Sequence, residues 1–285
     1  MIYISTGGFH KIDAFQASKE LIDVGCNFIE LSAGKYSESL LVDLKSLTSS
    51  ARFKVHNYFP PPKLSFVLNL ASLNSGVANA SLEHIKKAIR WTTELGDSTY
   101  SFHAGFLMDP KVEELGRKVK PRVLSNRREA LSRFIERVNQ IDDFAQIHGV
   151  KILIENNVLS ANNFHNFNSN PFLMTDADEC IYVMNQTSSN VKLLVDVAHL
   201  KVSASSLGFD PIIFLTSCGK WIEAYHLSDN DGTRDSNESI SQDSWFWPYL
   251  RRDLNYYSLE VYGLSPKELI LQRDLALSNL DMKNE

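Results

Sequence analysis

Cysteine is scarce in this chain. Cys26, Cys180 and Cys218 are the whole complement of its 285 residues. They are odd in number, far apart and without a CxxC spacing, which argues against a disulfide framework or a cysteine zinc cluster and leaves three buried thiols as the expectation. Long apolar runs are missing too. None approaches the roughly 18 residues a membrane span needs, and the opening MIYISTGGFH has no basic n-region and no apolar h-region, so the expected location is cytoplasmic, with no membrane partner. Nor is there an excess of basic residues: 29 Lys and Arg against 34 Asp and Glu leave a formal charge of −5. That charge offers nucleic acid or anionic lipid no general attraction, although a local basic patch stays compatible with it. Low-complexity tracts and linkers rich in Pro, Gly or Ser are also absent, so one domain spanning 1–285 is the economical division. Gly7 and Gly8 do not extend into GxGxxG, which removes the dinucleotide fingerprint of an open Rossmann sheet.

What the chain does have is a repeat. With 44% hydrophobic and 22% charged residues, it alternates short apolar or β-branched runs with longer stretches of helical periodicity. The spacing predicts strands at Ile2–Thr6, Phe28–Ser32, Phe53–Asn57, Tyr100–His103, Lys151–Asn156, Leu193–Asp196, Trp221–Leu227 and Tyr257–Val261. Predicted helices cover Lys11–Val24, Ser37–Thr48, Leu82–Leu95 behind a Ser81 cap, Ser125–His148, Thr175–Asn185, Asp210–Ser217, Asp243–Leu254 and Ser265–Leu280. The last opens Ser-Pro-Lys-Glu, where the missing proline N–H costs nothing. Eight βα units at this length point to a single closed (β/α)8 TIM barrel.

In such a barrel the C-terminal ends of the strands share one rim, where the loops build the active site. Six consecutive strands deliver an imidazole or a carboxylate there: His56, His103, Glu155, Asp196, His226 and Glu260. A lone strand-end histidine is ordinarily a hydrogen-bonded structural residue. Six such groups on one rim are a different matter, because uncompensated carboxylates converging on one cavity repel and resist desolvation, and a bound cation resolves the conflict. Oxygen and imidazole donors without thiolate suit Mn²⁺, Mg²⁺, Co²⁺, Fe²⁺ or Zn²⁺, and the carboxylates favour the harder ions. His199, three residues after Asp196, either joins the cluster or contacts a substrate oxygen. Lys201 reads equally as a contact to phosphate or sugar oxygens and as a solvated loop lysine. In the polar segment 226–237, Arg234 offers a rigid donor fork for a substrate oxyanion. Asp229, Asp231 and Asp235 read as ligands, as acceptors for histidine N–H groups, or as turn formers. His10, His84, His148 and His165 read as background, and the aromatics of 243–254 as helix packing, with a lid or an interface as the other readings.

Several segments together resemble the xylose isomerase-like TIM-barrel superfamily, which includes endonuclease IV and metal-dependent sugar isomerases and epimerases. They are ISTGG at 4–8, His56 followed by FVLNLAS at 66–72, ELG at 94–96 with FHAG at 102–105, ILIENN at 152–157, VDVAHL at 195–200, HLSDNDGTRDSN at 226–237 and LEVYG at 259–263. The resemblance spans nearly the whole chain and implies one divalent metal held by Glu155, Asp196, His226 and Glu260. The endonuclease IV branch implies further ions on His56 and His103 and on His199 and Asp235. The chain departs from that branch at Asn237, where the nuclease pattern needs a histidine, and an amide oxygen is a poor substitute for imidazole on zinc.

The leading expectation is an isomerase or epimerase of a small sugar or sugar phosphate, with Glu155 and Glu260 as catalytic base and acid and His199, Lys201 and Arg234 as substrate contacts. The alternative is an endonuclease IV-like phosphodiester hydrolase acting on abasic DNA, and only this alternative brings a nucleic-acid partner. Tyr36 and Tyr58 would then stand at the rim as DNA-penetrating residues, where they otherwise line a pocket. A binding barrel that merely retains the ligand set is a third reading. A homodimer paired through helices is the remaining partner expectation.

Overall fold

Runs such as IYIS, FIEL and KILIE carry apolar residues on both faces, and a strand so buried needs cover on both sides. The chain meets that need by closing its sheet. A computed structural model describes residues 1–114 and 117–282. Leu115, Gly116 and residues 283–285, part of the 1–285 span expected for the barrel, lie outside the described residues. Strands β1 (Ile2–Ser5), β2 (Phe28–Leu31), β3 (Arg52–His56), β4 (Thr99–His103), β5 (Lys151–Glu155), β6 (Val191–Asp196), β7 (Ile222–Leu227) and β8 (Tyr257–Leu259) pair in sequence order. All pairings are parallel, and β8 returns to β1 with Ile2 opposite Tyr257. The expected TIM barrel is therefore the observed fold.

Side chains alternate along each strand. One set, including Ile4, Ile29, Val55, Phe102, Ile154, Val195, Leu227 and Leu259, packs outward in the large core beneath the helices. The other set faces inward, where Tyr3, Leu153, Leu194, Ala224 and Tyr256 form a separate small cluster. Two residues further along, the same face carries Ser5, Glu155, Asp196, His226 and Ser258, all fully or nearly fully buried. The barrel thus changes from a greasy floor to a polar storey within one strand repeat.

Around it run α1 (Ala14–Asp23), α2 (Leu40–Lys45), α3 (Ser75–Glu94), α4 (Arg127–Ile147), α5 (Ala161–Phe167), α6 (Ala177–Gln186), α7 (Val197–Leu207), α8 (Pro211–Cys218) and α9 (Pro266–Asn279). Several starts differ from expectation, and the cap residue explains each. Asn74 caps α3 by accepting from Gly76 N at 2.8 Å, so the helix begins well before Leu82. Ser81 instead lies inside it, donating to the Val77 carbonyl and accepting from Asn69 N. Asp13 caps α1, so the helix begins at Ala14 rather than Lys11 and His10 lies in an exposed turn. Asn126 caps α4 in place of Ser125. His165 lies in α5, not in a loop, and α7 begins directly at the end of β6. The segment 243–254 forms turns and one short 3-10 stretch at Trp247–Tyr249 instead of a helix. Phe246 and Trp247 are nevertheless buried, and Trp247 Nε1 donates to the Ser241 carbonyl at 2.7 Å. Among the described residues, no helix is long and apolar enough to cross a membrane.

The floor beneath the site predicts a stability effect. Leu194→Ala should cost about 2–5 kcal/mol, the usual range for emptying a tightly packed leucine site, measured as the shift in a urea unfolding curve. A loss below about 1 kcal/mol would show that the interior layer is loosely packed.

Candidate metal centre

Glu155, Asp196, His226 and Glu260 are buried, and each offers a ligand atom lying within 4.8 Å of the other three. His226 Nδ1 is 3.0 Å from Glu260 Oε2, 3.5 Å from Glu155 Oε1 and 3.9 Å from Asp196 Oδ2. The inward register of β5, β6 and β7 places Glu155, Asp196 and His226 just above the apolar floor, and Glu260 reaches the same point from just past β8.

Three of the four ligands, Asp196, Glu260 and His226, are held by a partner on the far side. Asp196 is also the N-cap of α7, and its Oδ1 accepts from the backbone N–H groups of Ala198 and His199, both at 2.7 Å. Its Oδ2 is left facing the cluster. Asn156 brackets the same residue, accepting from Asp196 N at 2.8 Å and donating to its carbonyl at 3.2 Å. Tyr262 donates to Glu260 Oε1 at 2.7 Å. That hydroxyl occupies the space above Gly7, where a Cβ would lie 2.3 Å from it, so glycine is required there by close approach. His226 Nε2 meets Glu30 Oε2 at 2.9 Å.

The polar atoms without partners indicate what the cluster could hold. Both oxygens of Glu155, Asp196 Oδ2 and His226 Nδ1 are buried and have no hydrogen-bond partner. Leaving even one such group unsatisfied typically costs about 1–3 kcal/mol, more when it is charged. Glu155 Oε1 and Asp196 Oδ2 both face His226 Nδ1, while Glu155 Oε2 faces His56 and His103. Hard oxygens plus one imidazole are the donor set of a divalent cation, and a cation would satisfy Glu155 Oε1, Asp196 Oδ2 and His226 Nδ1 together. Glu155, Asp196, His226 and Glu260 therefore fit a divalent metal and would hold it.

The metal-free chain handles the crowding through protonation. Burial pushes the Glu155 carboxyl up to about 7 and Asp196 up to about 6. Burial opposes charge on Glu260 as well, but His226 outweighs it and holds this carboxyl below its ordinary range. His226 is driven well above the usual imidazole value: burial works against its charge, while Glu30, Glu155 and Glu260 favour it more strongly. His199 is raised in the same way against burial, by Asp196 and Asp235. His56 falls to about 4 through burial and the neighbouring His226.

The residues expected around this core are placed unevenly. His56 Nε2 and His103 Nε2 lie 3.2 and 3.5 Å from Glu155 Oε2, so both imidazoles join the site. His199 sits beside Glu155 at 3.3 Å, but its two nitrogens already face the Asn156 carbonyl at 3.0 Å and Asp235 Oδ2 at 3.2 Å. Lys201 is not brought to the pocket. Its ammonium pairs with Asp229 at 2.7 Å and with the Asn230 carbonyl, tying the segment after β7 to α7. Arg234 is exposed on that segment. Asp229 also accepts from Ser244, and Asp231 closes a turn onto Thr233, so both are loop formers. Asn237 adopts a positive φ of 48°, a backbone region that Asn tolerates better than most residues, and its carbonyl accepts from Tyr262 N. His10, His84, His148 and His165 belong to none of the ligand groups among the described residues. Tyr58 stacks on His84 at 5.2 Å between ring centroids.

Sequence reasoning missed Glu30. It sits inside FIEL rather than at a strand end, fully buried, with its carboxylate on His226. A lone acid in an otherwise apolar strand was the available signal.

The profile of the xylose isomerase-like TIM barrel family matches residues 18–276, and the chain belongs to that family. No curated protein matches it by sequence. Among solved structures it is similar to a D-tagatose 3-epimerase-like protein, with 18% identity, a TM-score of 0.76, and coverage of 98% of this chain and 97% of that one. It is also similar to a Thermus thermophilus protein soaked with ZnCl₂, with 21% identity, a TM-score of 0.63, and coverage of 97% and 98%. A third similar structure is D-psicose 3-epimerase with D-tagatose from Clostridium cellulolyticum, with 12% identity, a TM-score of 0.65, and coverage of 98% and 96%. At these identities the likeness is one of fold.

The pH behaviour of the centre follows from the raised groups. A carboxyl raised by burial favours the folded metal-free chain while protonated, and that stability is lost as pH rises through about 6 to 7 at Asp196 and Glu155. His226, also raised, acts in the same direction. A divalent ion needs the deprotonated ligands, so its binding strengthens over the same window. The gain in Tm on adding saturating Mn²⁺ to EDTA-treated protein should therefore be larger at pH 7.5 than at pH 5.5. Equal gains at both pH values in differential scanning fluorimetry would refute this.

Proposed function

We propose that this chain is a divalent-metal-dependent isomerase or epimerase of a small sugar or sugar phosphate. The observation that carries the reading is the arrival of two glutamates, Glu155 from the end of β5 and Glu260 from just past β8, at one buried cluster with Asp196 and His226. When bound, a divalent ion supplies Lewis acidity to a substrate carbonyl and its neighbouring hydroxyl. Glu260 and Glu155 divide the proton work: one takes the proton from the carbon beside the carbonyl, and the other returns a proton to the opposite face. Inversion at carbon needs such a pair, because a single carboxylate fixed on one side would restore the starting isomer. Tyr262 keeps Glu260 from swinging through its hydroxyl, and Asn156 fixes the backbone of Asp196. His199 and Arg234 are the candidates for holding substrate oxygens, His199 from beside Glu155 and Arg234 from the loop above.

Support comes from the similar solved structures, one titled as a D-tagatose 3-epimerase-like protein and another as a D-psicose 3-epimerase with D-tagatose. They favour a ketose as the first substrate to try. The structure soaked with ZnCl₂ supports a metal at the site, with Mn²⁺, Mg²⁺, Co²⁺, Fe²⁺ and Zn²⁺ all compatible with these donors.

The test is solvent exchange. Metal-loaded protein in D₂O should introduce deuterium beside the carbonyl of a ketose or aldose, and Glu260→Gln should slow this by about 10²-fold or more, the scale of a lost general base. No exchange across a panel of ketoses, aldoses, their phosphates and inososes would defeat the proposal.

One observation favours the second reading, phosphodiester hydrolysis: His56 and His103 both approach Glu155 Oε2, as a site for a further ion would need. Asn237 stands against it. Cleavage of an abasic-site duplex that is abolished by His103→Ala, with two or three ions per chain, would make hydrolysis the better account. About one ion per chain, the single-centre expectation, and an intact duplex would favour the isomerase.

A further inference from the structure

Glu30 is costly where it stands. Its carboxylate is fully buried, and no lysine or arginine compensates it: among the described residues its ion pair is with His226 alone, at 2.9 Å from Nε2. Isolated buried charges are rare in folded proteins because desolvation opposes them. β2 and β7 are not neighbours in the barrel, since β1 and β8 lie between them, so the contact crosses the interior and adds nothing to strand pairing.

Its remaining contacts lie on the floor side. The Tyr256 hydroxyl donates to the same oxygen, Oε2, and lies 3.5 Å from Ser101 Oγ. Ser101 in turn meets His56 Nδ1 at 2.9 Å. A hydrogen-bonded line therefore runs beneath the cluster and touches the back of two imidazoles, His226 and His56, while their other nitrogens face Glu155.

A neutral imidazole carries one N–H and one bare nitrogen, and whichever nitrogen is engaged as a donor leaves the other free to ligate. An ionised carboxylate can only accept. We propose that Glu30 is a positioning residue of the metal centre: by accepting the Nε2 proton of His226 it fixes the tautomer that leaves Nδ1 bare toward Glu155, Asp196 and Glu260, and its charge makes that nitrogen a stronger donor. The inference rests on the divalent-metal reading of the site.

The direct test is Co²⁺ titration of the EDTA-treated full chain, well below its Tm, followed by the visible absorption of the bound ion. Glu30→Gln keeps the shape and removes the charge, and it should weaken Co²⁺ binding by about 10- to 100-fold, the range for losing such a partner, and shift the absorption bands. A folded Glu30→Gln protein with wild-type affinity and spectrum overturns the role of Glu30. Wild-type protein that binds no Co²⁺ overturns the metal reading itself, a distinct result. If Glu30→Gln fails to fold, ¹⁵N imidazole spectra of the Zn²⁺-loaded wild type decide the matter: a His226 proton on Nε2 supports the proposal, and a proton on Nδ1 refutes it.

Discussion

Like charges gathered out of water govern this molecule. Glu30, Glu155, Asp196 and Glu260 lie at the same end of the barrel interior, and among the described residues the ion pairs made to them come only from histidines. Histidine is the one basic side chain that can release its proton near neutral pH and then serve as a ligand. The site can therefore exist in two balanced forms, one carrying protons shared between carboxylates and imidazoles, the other carrying a divalent cation. An arginine or lysine in the same place would have cancelled the charge permanently and closed the position to an ion.

The surrounding loops keep that pocket from collapsing or opening. Asn69, after β3, donates to the Phe106 and Met108 carbonyls and to Asp109. Arg122 closes the long connection after β4 by clasping Glu114 and the Asp109 carbonyl. Asn157 spans the Ala104, Gly105 and Leu173 carbonyls, each at 3.0 Å. Most of these bonds end on backbone carbonyls, so they fix the loop paths that the strand ends alone leave undetermined.

Much of this was legible in the sequence because strands have a period of two. Once Leu153 faces inward, Glu155 must as well, and the same holds for Leu194 with Asp196 and Ala224 with His226. Strand ends were therefore readable to within a residue or two, and the ligand candidates with them. Helix starts were less so, since Ser81 and Asn74 are both capable caps and the choice depends on Asn69, a residue distant in sequence that claims Ser81. α7 escaped notice because VAHLKVSASSL is buried along much of its length and shows no polar stripe. Lys201 looked like a substrate contact until its distance from Asp229 was known, and sequence order carries no such distance. Glu30 was passed over because attention to strand ends skips an acid one residue inside its strand, although the same period of two turns it inward.

The tyrosine that stands over Gly7 joins the first loop of the chain to its final strand, and that has a bearing on synthesis. Glu260 and Tyr262 emerge from the ribosome long after Gly7, Glu30 and His56. A growing chain therefore cannot complete the pocket before the segment after its last strand is made, and the site takes shape late in assembly rather than as an early nucleus.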